Sequence, residues 1–377
     1  MVLFRGGGGL DAARRALEQH FGHPRFRIHQ LKVLGPLLSG RNVLAVLPTG
    51  AGKSLCYQVA ALLGDGLTLV VSPLISLMQD QVGALRRRGI AAAYLNSQLD
   101  TRQRRVVLDA ALSGRLKLLY CAPERLPSLT RRLRAARTNL SLFAIDEAHC
   151  ISEWGNEFRP VYRRLGVFRA LLGHPPTLAV TGSATPAARL DILQVLRIRD
   201  AEVVVTSFDR PNLTFSTSKV ANDRERFAII RARVRDAAGA SLVYTPTRRL
   251  TELVTRALLR TSVRAAPYHA GLAAGVRRRV LRALLADQVR IIVATSAFGM
   301  GIDKPNVRQV LHWGPPPTLE AYYQEAGRAG RDGQPSECVV LWRPEDFAWG
   351  NIAPAMRRYV ESRTNHRAMI LEYFGEP

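Results

Sequence analysis

The chain has 377 residues, 47% of them hydrophobic, more than a single core usually accommodates, so two domains are expected. Its formal charge of +24 favours a polyanionic partner, because Lys and Arg neutralise phosphates and release counterions. No run approaches the roughly 18 apolar residues of a membrane span and no opening segment reads as a signal peptide, which excludes integral membrane functions and points to a soluble, cytoplasmic, nucleoid-associated protein.

Only Lys32, Lys53, Lys117, Lys219 and Lys304 are lysines, so arginine carries most of the charge. Runs such as Arg86 to Arg88 and Arg277 to Arg279 read as helix faces on a solvated basic surface. Cys56, Cys121, Cys150 and Cys338 are scattered without a C-x-x-C spacing, so neither a disulfide framework nor a zinc module is signalled.

In chain order, "RGGGG" reads as a flexible tail. Apolar runs of strand length follow: "NVLAVLP", "LTLVVSP", "LKLLYCAPE", "LSLFAIDE" and "TLAVTGSAT". Doubly buried parallel strands have this continuous apolar character. Helix-period segments, such as Ser76 to Arg88 and Arg102 to Leu112, lie between them and give the β–α alternation of a doubly wound sheet. The alternation breaks at "TSFDRPNLTFSTSK", where a domain junction is expected. It then resumes with "ASLVYTPT", "RIIVATSAF", "VRQVLHW" and "ECVVLW", separated by helical Leu250 to Leu259 and Ala274 to Leu285.

"LPTGAGKS", Leu47 to Ser54, follows a strand pattern and precedes a helical one. In that setting Thr49, Gly50 and Gly52 belong to a phosphate-binding loop whose backbone N–H groups close round phosphate oxygens. Lys53 reaches the terminal phosphates and the Ser54 hydroxyl ligates Mg²⁺. "AIDEAH" supplies the second half of the site, with Asp146 holding Mg²⁺ through water and Glu147 polarising the attacking water. His149 completes the catalytic set on this side. The two motifs are expected on adjacent parallel strands at the carboxyl edge of one sheet. Further on, "QEAGRAGRDG" places Arg328 and Arg331 three apart, expected to share a helix face and act as arginine fingers.

The ordered set "FRIHQ", "LPTGAGKSLCYQ", "SPLISLMQDQ", "YCAPERL", "DEAHCISEWGNEFRP", "TGSATP", "SFDRPNL", "YHAGL", "ATSAFGMGIDKPNVRQVLHW" and "YYQEAGRAGRDG" resembles the RecQ family of superfamily 2 DNA helicases. "DEAHCISEWG" followed by "EFRP", and "AFGMGIDKP", carry the resemblance most specifically. It implies an α/β fold of two tandem RecA-like domains with mainly parallel sheets, residues 1–208 and 209–347, and a helical start of a zinc-binding subdomain over 348–377. It also implies ATP and Mg²⁺ as cofactors, 3′-to-5′ translocation on single-stranded DNA, unwinding of tailed duplexes in repair or recombination, and a monomer.

Carried over by position, Arg27 and Gln30 match the adenine-reading motif, with His23 where the family has a stacking aromatic and Ile28-His29 where it has Pro-Gly. Ser183 stands where the coupling motif has threonine. Trp154, Phe158 and Arg159 match the aromatic-rich loop that binds single-stranded DNA, a base stacked on such a ring contributing about 1–3 kcal/mol. That loop usually reads "WGHDF" and here reads "WGNEF", with Asn156 and Glu157. Asn365 stands where the first zinc-binding cysteine is expected and the chain stops at Pro377, so no zinc is expected. Two other functions remain open: a DNA- or RNA-stimulated ATPase or translocase with weak unwinding, and a nucleotide-gated DNA-binding module.

Overall fold

A computed structural model describes residues 9–48, 50–152, 160–298, 304–348 and 351–376. The chain divides into two compact units, with the division between Ser207 and Phe208.

In the first unit, strands β1 (Val43–Val46), β2 (Leu67–Val71), β3 (Ala92–Leu95), β4 (Leu118–Cys121), β5 (Leu140–Ile145), β6 (Thr177–Thr181) and β7 (Glu202–Val205) form an all-parallel sheet. Its order is β3-β4-β2-β5-β6-β1-β7. The helices are α1 (Gly9–Phe21), α2 (Ile28–Leu38), α3 (Lys53–Leu63), α4 (Ile75–Arg87), α5 (Thr101–Leu112), α6 (Leu126–Ala135), α7 (Leu165–Leu171) and α8 (Pro186–Leu196). Parallel strands need crossover connections, and helices supply them here. Asp100 caps α5 by accepting from the Gln103 N–H, and Thr185 caps α8 just before Pro186, so both helix starts are written locally. Leu17, Val33, Leu34 and Leu37 of α1 and α2 share one apolar cluster with Val43 and Ala45 of β1 and with Cys56, Tyr57, Val59 and Ala60 of α3. That cluster fixes the end of β1 and the start of α3, the two anchors of the phosphate loop.

The second unit repeats the plan with β8 (Leu213–Lys219), β9 (Ala240–Tyr244), β10 (Ala265–Tyr268), β11 (Ile291–Ala294), β12 (Val307–Trp313) and β13 (Ser336–Trp342). They form a parallel sheet ordered β10-β11-β9-β12-β13-β8. Its helices are α9 (Asp223–Arg235), α10 (Arg248–Arg260), α11 (Ala274–Leu285), α12 (Leu319–Ala326), α13 (Pro354–Glu361) and α14 (His366–Tyr373), the last two packing beside β8. Asn365 caps α14 through the N–H groups of Arg367 and Ala368. No helix among the described residues is long and apolar enough to cross a membrane.

Two sequence expectations change. Strands β3, β7, β8 and β10 go beyond the apolar runs, and these four are the outermost strands of the two sheets. In addition, β1 and β5 are not neighbours: β6 pairs with both and separates the two motif-bearing strands. Five runs of similar apolar character contain nothing local that ranks them across a sheet. The order is decided by which crossovers bury both faces.

Candidate nucleotide site and the arginine-bearing turn

The phosphate loop leaves β1 at Leu47, whose N–H donates to the Thr181 carbonyl at 2.9 Å, so the loop is tied to β6 from its first residue. Gly50 and Gly52 have φ of +84° and +76°, a left-handed conformation that costs glycine nothing. A Cβ on Gly52 would lie 2.5 Å from the Gln30 amide nitrogen, so a side chain there would displace Gln30. Three residues at the start of α2 hold the loop by its carbonyls. Arg27 donates to Gly50 O at 2.9 Å, His29 Nε2 to Ala51 O at 2.9 Å, and Gln30 Nε2 to Ala51 O at 3.2 Å. Gln30 Oε1 in turn accepts the Arg27 N–H at 2.9 Å. His29, a departure from the motif, thus contributes a contact of its own, whereas His23 is exposed. The Lys53 ammonium, at the start of α3, donates to Leu47 O at 3.2 Å.

Asp146 follows directly on β5 and is only 3% exposed. It accepts the Glu147 N–H at 3.1 Å, and the hydroxyl of fully buried Tyr57 lies 3.5 Å from its Oδ2. Burial above all, and then the Asp146 charge, push the Tyr57 hydroxyl well above its ordinary value, with the neighbouring Ser54 side chain opposing them. Burial first, and then the adjacent Glu147 charge, push the Asp146 carboxyl up to about 7 against the opposing pull of Lys53. A hydroxyl and a buried carboxylate held near its protonated form make a hard-oxygen pair that a divalent cation such as Mg²⁺ fits, because the cation replaces the proton.

Glu147 has φ +51° and opens a short 3-10 turn, Ala148–Ile151, that brings its side chain back toward His149. His149 Nδ1 lies 3.5 Å from Glu147 Oε2 and 3.0 Å from Thr181 Oγ1. The Thr181 hydroxyl donates to the Ser183 carbonyl at 3.0 Å, which leaves the ring Nδ1–H as the donor to it. The outcome is a chain of contacts, Glu147–His149–Thr181–Ser183, buried from His149 onward. It joins the carboxylate to the "GSAT" segment through β6, the strand that separates β1 from β5. Thr181 and Tyr57 escaped the sequence reading. A threonine closing an apolar strand two residues before Ser183 is the only signal for the first, and Tyr57 reads as core.

In the second unit, Arg328 and Arg331 are not on a helix. α12 ends at Ala326, and residues 327–333 form a chain of turns bonded Arg328 N to Glu325 O, Ala329 N to Ala326 O and Gly330 N to Val307 O. Gly330 at φ +55° and the glycine at Gly327 stop the helix, so the i,i+3 face does not exist. Arg328 lies beside the Tyr244 hydroxyl, which donates to Phe298 O at 2.9 Å. Underneath, buried His312 donates to Glu325 at 2.8 Å and stacks on Tyr244 with ring centroids 5.2 Å apart. Thr49, Trp154, Phe158 and Arg159, with Asn156 and Glu157, lie outside the described residues. Among the described residues no cluster of three or more His, Cys, Asp or Glu side chains is placed to hold a metal.

Residues 27–193 match the DEAD/DEAH box helicase family and residues 225–333 the helicase conserved C-terminal domain. The chain is 40% identical to the ATP-dependent DNA helicase RecQ of Haemophilus influenzae over 97% of itself and 61% of that protein. It is 44% identical to the probable ATP-dependent DNA helicase RecS of Bacillus subtilis over 90% of itself and 68% of that protein. The chain therefore spans about three fifths of the RecQ proteins it matches. In structure it superposes on S. cerevisiae Dbp5 bound to RNA and ADP BeF3 with TM-score 0.71 at 16% identity, covering 96% of this chain and 91% of that one. That likeness gives the tandem RecA-like fold. With this fold, a phosphate loop and a D-E-A-H strand end joined through β6, and relatives of 40% identity and above along nearly its whole length, the chain belongs to the RecQ family of helicases.

Proposed function

We propose that the chain is the motor of an ATP-dependent DNA helicase, moving 3′-to-5′ along single-stranded DNA and separating tailed duplexes. The observation that carries this reading is the buried Asp146 carboxylate, under opposing charge from Lys53 and Glu147 and beside the buried Tyr57 hydroxyl. Lys53 binds the terminal phosphates, exchanging the Leu47 carbonyl for them. Arg27 and Gln30 recognise adenine where they now hold the loop. Held by Ser54 and Asp146, Mg²⁺ would neutralise charge between the terminal phosphates. Glu147 takes the proton of the attacking water, and His149, anchored on Thr181, fixes where that carboxylate points. Arg328 and Arg331 supply positive charge as the terminal phosphate leaves.

Trp154, Phe158 and Arg159 stack on and pair with single-stranded DNA. The short stretch from Glu147 to Trp154, seven positions along the chain, lets DNA binding reset the carboxylate, so hydrolysis depends on DNA. Asn365, its oxygen engaged in capping α14, holds no zinc in this reading, and metal analysis of the purified chain tests that. The deciding experiment measures ATP hydrolysis with and without single-stranded DNA, then strand separation on a 3′-tailed duplex. Stimulation by RNA alone, or nucleotide-dependent DNA binding without turnover, would replace the helicase reading by one of its alternatives.

A further inference from the structure

A helix end leaves carbonyls without partners inside the helix. At α12 the carbonyls of Tyr323, Glu325 and Ala326 are met by N–H groups of the turn that follows, and the carbonyls of that turn are met by a guanidinium from outside it. Arg210 donates to Gly327 O at 3.4 Å, Ala329 O at 3.1 Å and Gly330 O at 3.0 Å. The hydrogen bonds of this guanidinium go to one turn. Asn212 adds bonds at 2.9 Å to Gly330 O and to Gln334 O. The fit is close, since a Cβ on Gly330 would collide with the Asn212 amide and stand 2.9 Å from both Gln334 O and Ser336 Oγ. The placement of these bonds is selective. Those of Arg210 fall on both sides of Arg328, and those of Asn212 fall on both sides of Arg331. Both residues lie between the two matched family regions, 27–193 and 225–333.

We propose that Arg210, assisted by Asn212, is a positioning residue that fixes the backbone of the 327–333 turn and thereby aims the Arg328 and Arg331 side chains. The assignment rests on the reading of those two arginines as phosphate-directed. A planar guanidinium reaches three carbonyls of one turn with two of its nitrogens, whereas a lysine ammonium would have to do so from one point. Helix α12 itself is closed by its own turn bonds and by the Tyr323 hydroxyl on Phe208 O at 2.8 Å. Removing Arg210 therefore loosens the turn rather than the sheet.

The test uses the full chain. In Arg210→Ala, kcat for DNA-stimulated ATP hydrolysis falls about 10-fold or more, a size typical of misplaced catalytic groups, while KM for ATP and the affinity for single-stranded DNA stay within about two-fold. Arg210→Lys fails to restore kcat, and millimolar guanidinium restores part of it in Arg210→Ala. In an Arg328→Ala, Arg331→Ala background, Arg210→Ala changes kcat by less than about two-fold, because residues acting through one another are not additive. Wild-type kcat in Arg210→Ala, or a loss that multiplies fully in that background, overturns the proposal. Amide hydrogen exchange gives an answer independent of turnover: residues 328–333 exchange at least about 10-fold faster in Arg210→Ala while β12 and β13 are unchanged. Unchanged exchange in the turn overturns the proposal even if the helicase reading stands. If the wild type shows no DNA-stimulated hydrolysis, the helicase reading falls instead, and exchange alone decides whether Arg210 holds the turn. Should Arg210→Ala fail to fold, Asn212→Ala, which removes only the bonds at Gly330 and Gln334, shows the same pattern at a smaller size, and normal kcat with normal exchange there counts against the proposal.

Discussion

The two units handle charge in opposite ways. In the first, the groups that do chemistry are pinned by their own side-chain bonds: Asp146 by the Glu147 N–H and Tyr57, and His149 by Thr181, all within a few ångströms of fully buried strand ends. In the second, the backbone of residues 327–333 is pinned by Arg210 and Asn212, while Arg328 and Arg331 remain partly exposed. A site for a small ion and a phosphate chain must exist before they arrive, because a loose oxygen cage gains nothing from them. A cation proposed to meet charge as it develops needs a backbone root that is held in place. The first unit is therefore built from within, and the second is braced from outside.

Substitutions can sharpen or break this contrast. The largest effect falls in the first unit, where Lys53→Ala and Glu147→Gln each lower steady-state hydrolysis by about 10⁴-fold, at the upper end for a proton-transfer group. Only Glu147→Gln keeps a nucleotide-bound state that retains DNA, since it leaves the phosphate contact of Lys53 intact. Near wild-type turnover in either variant defeats the assignment.

Next in size, Arg328→Ala or Arg331→Ala lowers kcat about 10³-fold with little change in KM for ATP, as expected for charge that acts only when the phosphate leaves. A rise in KM at constant kcat would move these arginines from the reaction to ground-state binding. Thr181→Val then removes the hydroxyl beneath His149 without changing the shape of β6. An orienting partner one bond removed from the reacting group typically matters about 10-fold, so kcat falls by that much and DNA affinity does not change. An unaltered kcat would reduce these contacts to packing.

The smallest effect is thermodynamic. Burial holds the Asp146 pKa at about 7 in the folded chain, above its ordinary value of 3.8. Its protonated form is thus favoured by folding, and the cost of ionising it is absent below pH 4 and complete above about pH 7. Asp146→Asn therefore raises Tm by about 3 °C at pH 8 without added metal, and by nothing at pH 4. A stabilisation equal at both pH values would mean that the carboxylate is not desolvated.

The same contrast between inside and outside governs what the sequence reveals of the sheets. Strands flanked on both sides, such as β1, β5 or β9, are buried along their whole length and appear as apolar runs, and β12 and β13 depart from full burial only at Arg308 and Glu337. Three of the four edge strands lose that signature: β10 is half-buried throughout, β8 is buried only at Leu213, and β7 only at Val204, whereas β3 stays buried except at Tyr94. For that reason β8 reads in sequence as part of a polar junction. A strand with one neighbour has less apolar surface to hide, so its composition drifts towards that of a loop.

The sequence by itself determined the motifs and their local frame. Gly-Lys-Ser between a strand and a helix, Asp-Glu at a strand end and paired arginines among glycines are patterns of a few consecutive residues, and the conformations they need are local ones. Tertiary structure decided which strands stand side by side, and hence that β6 and Thr181 lie between the phosphate loop and the acidic motif. It also decided that the arginines sit on a turn clamped by Arg210, more than a hundred residues away in the chain. Strand order and long-range clamps depend on burying two faces of a sheet at once, a condition on the whole unit that no short stretch of sequence can state.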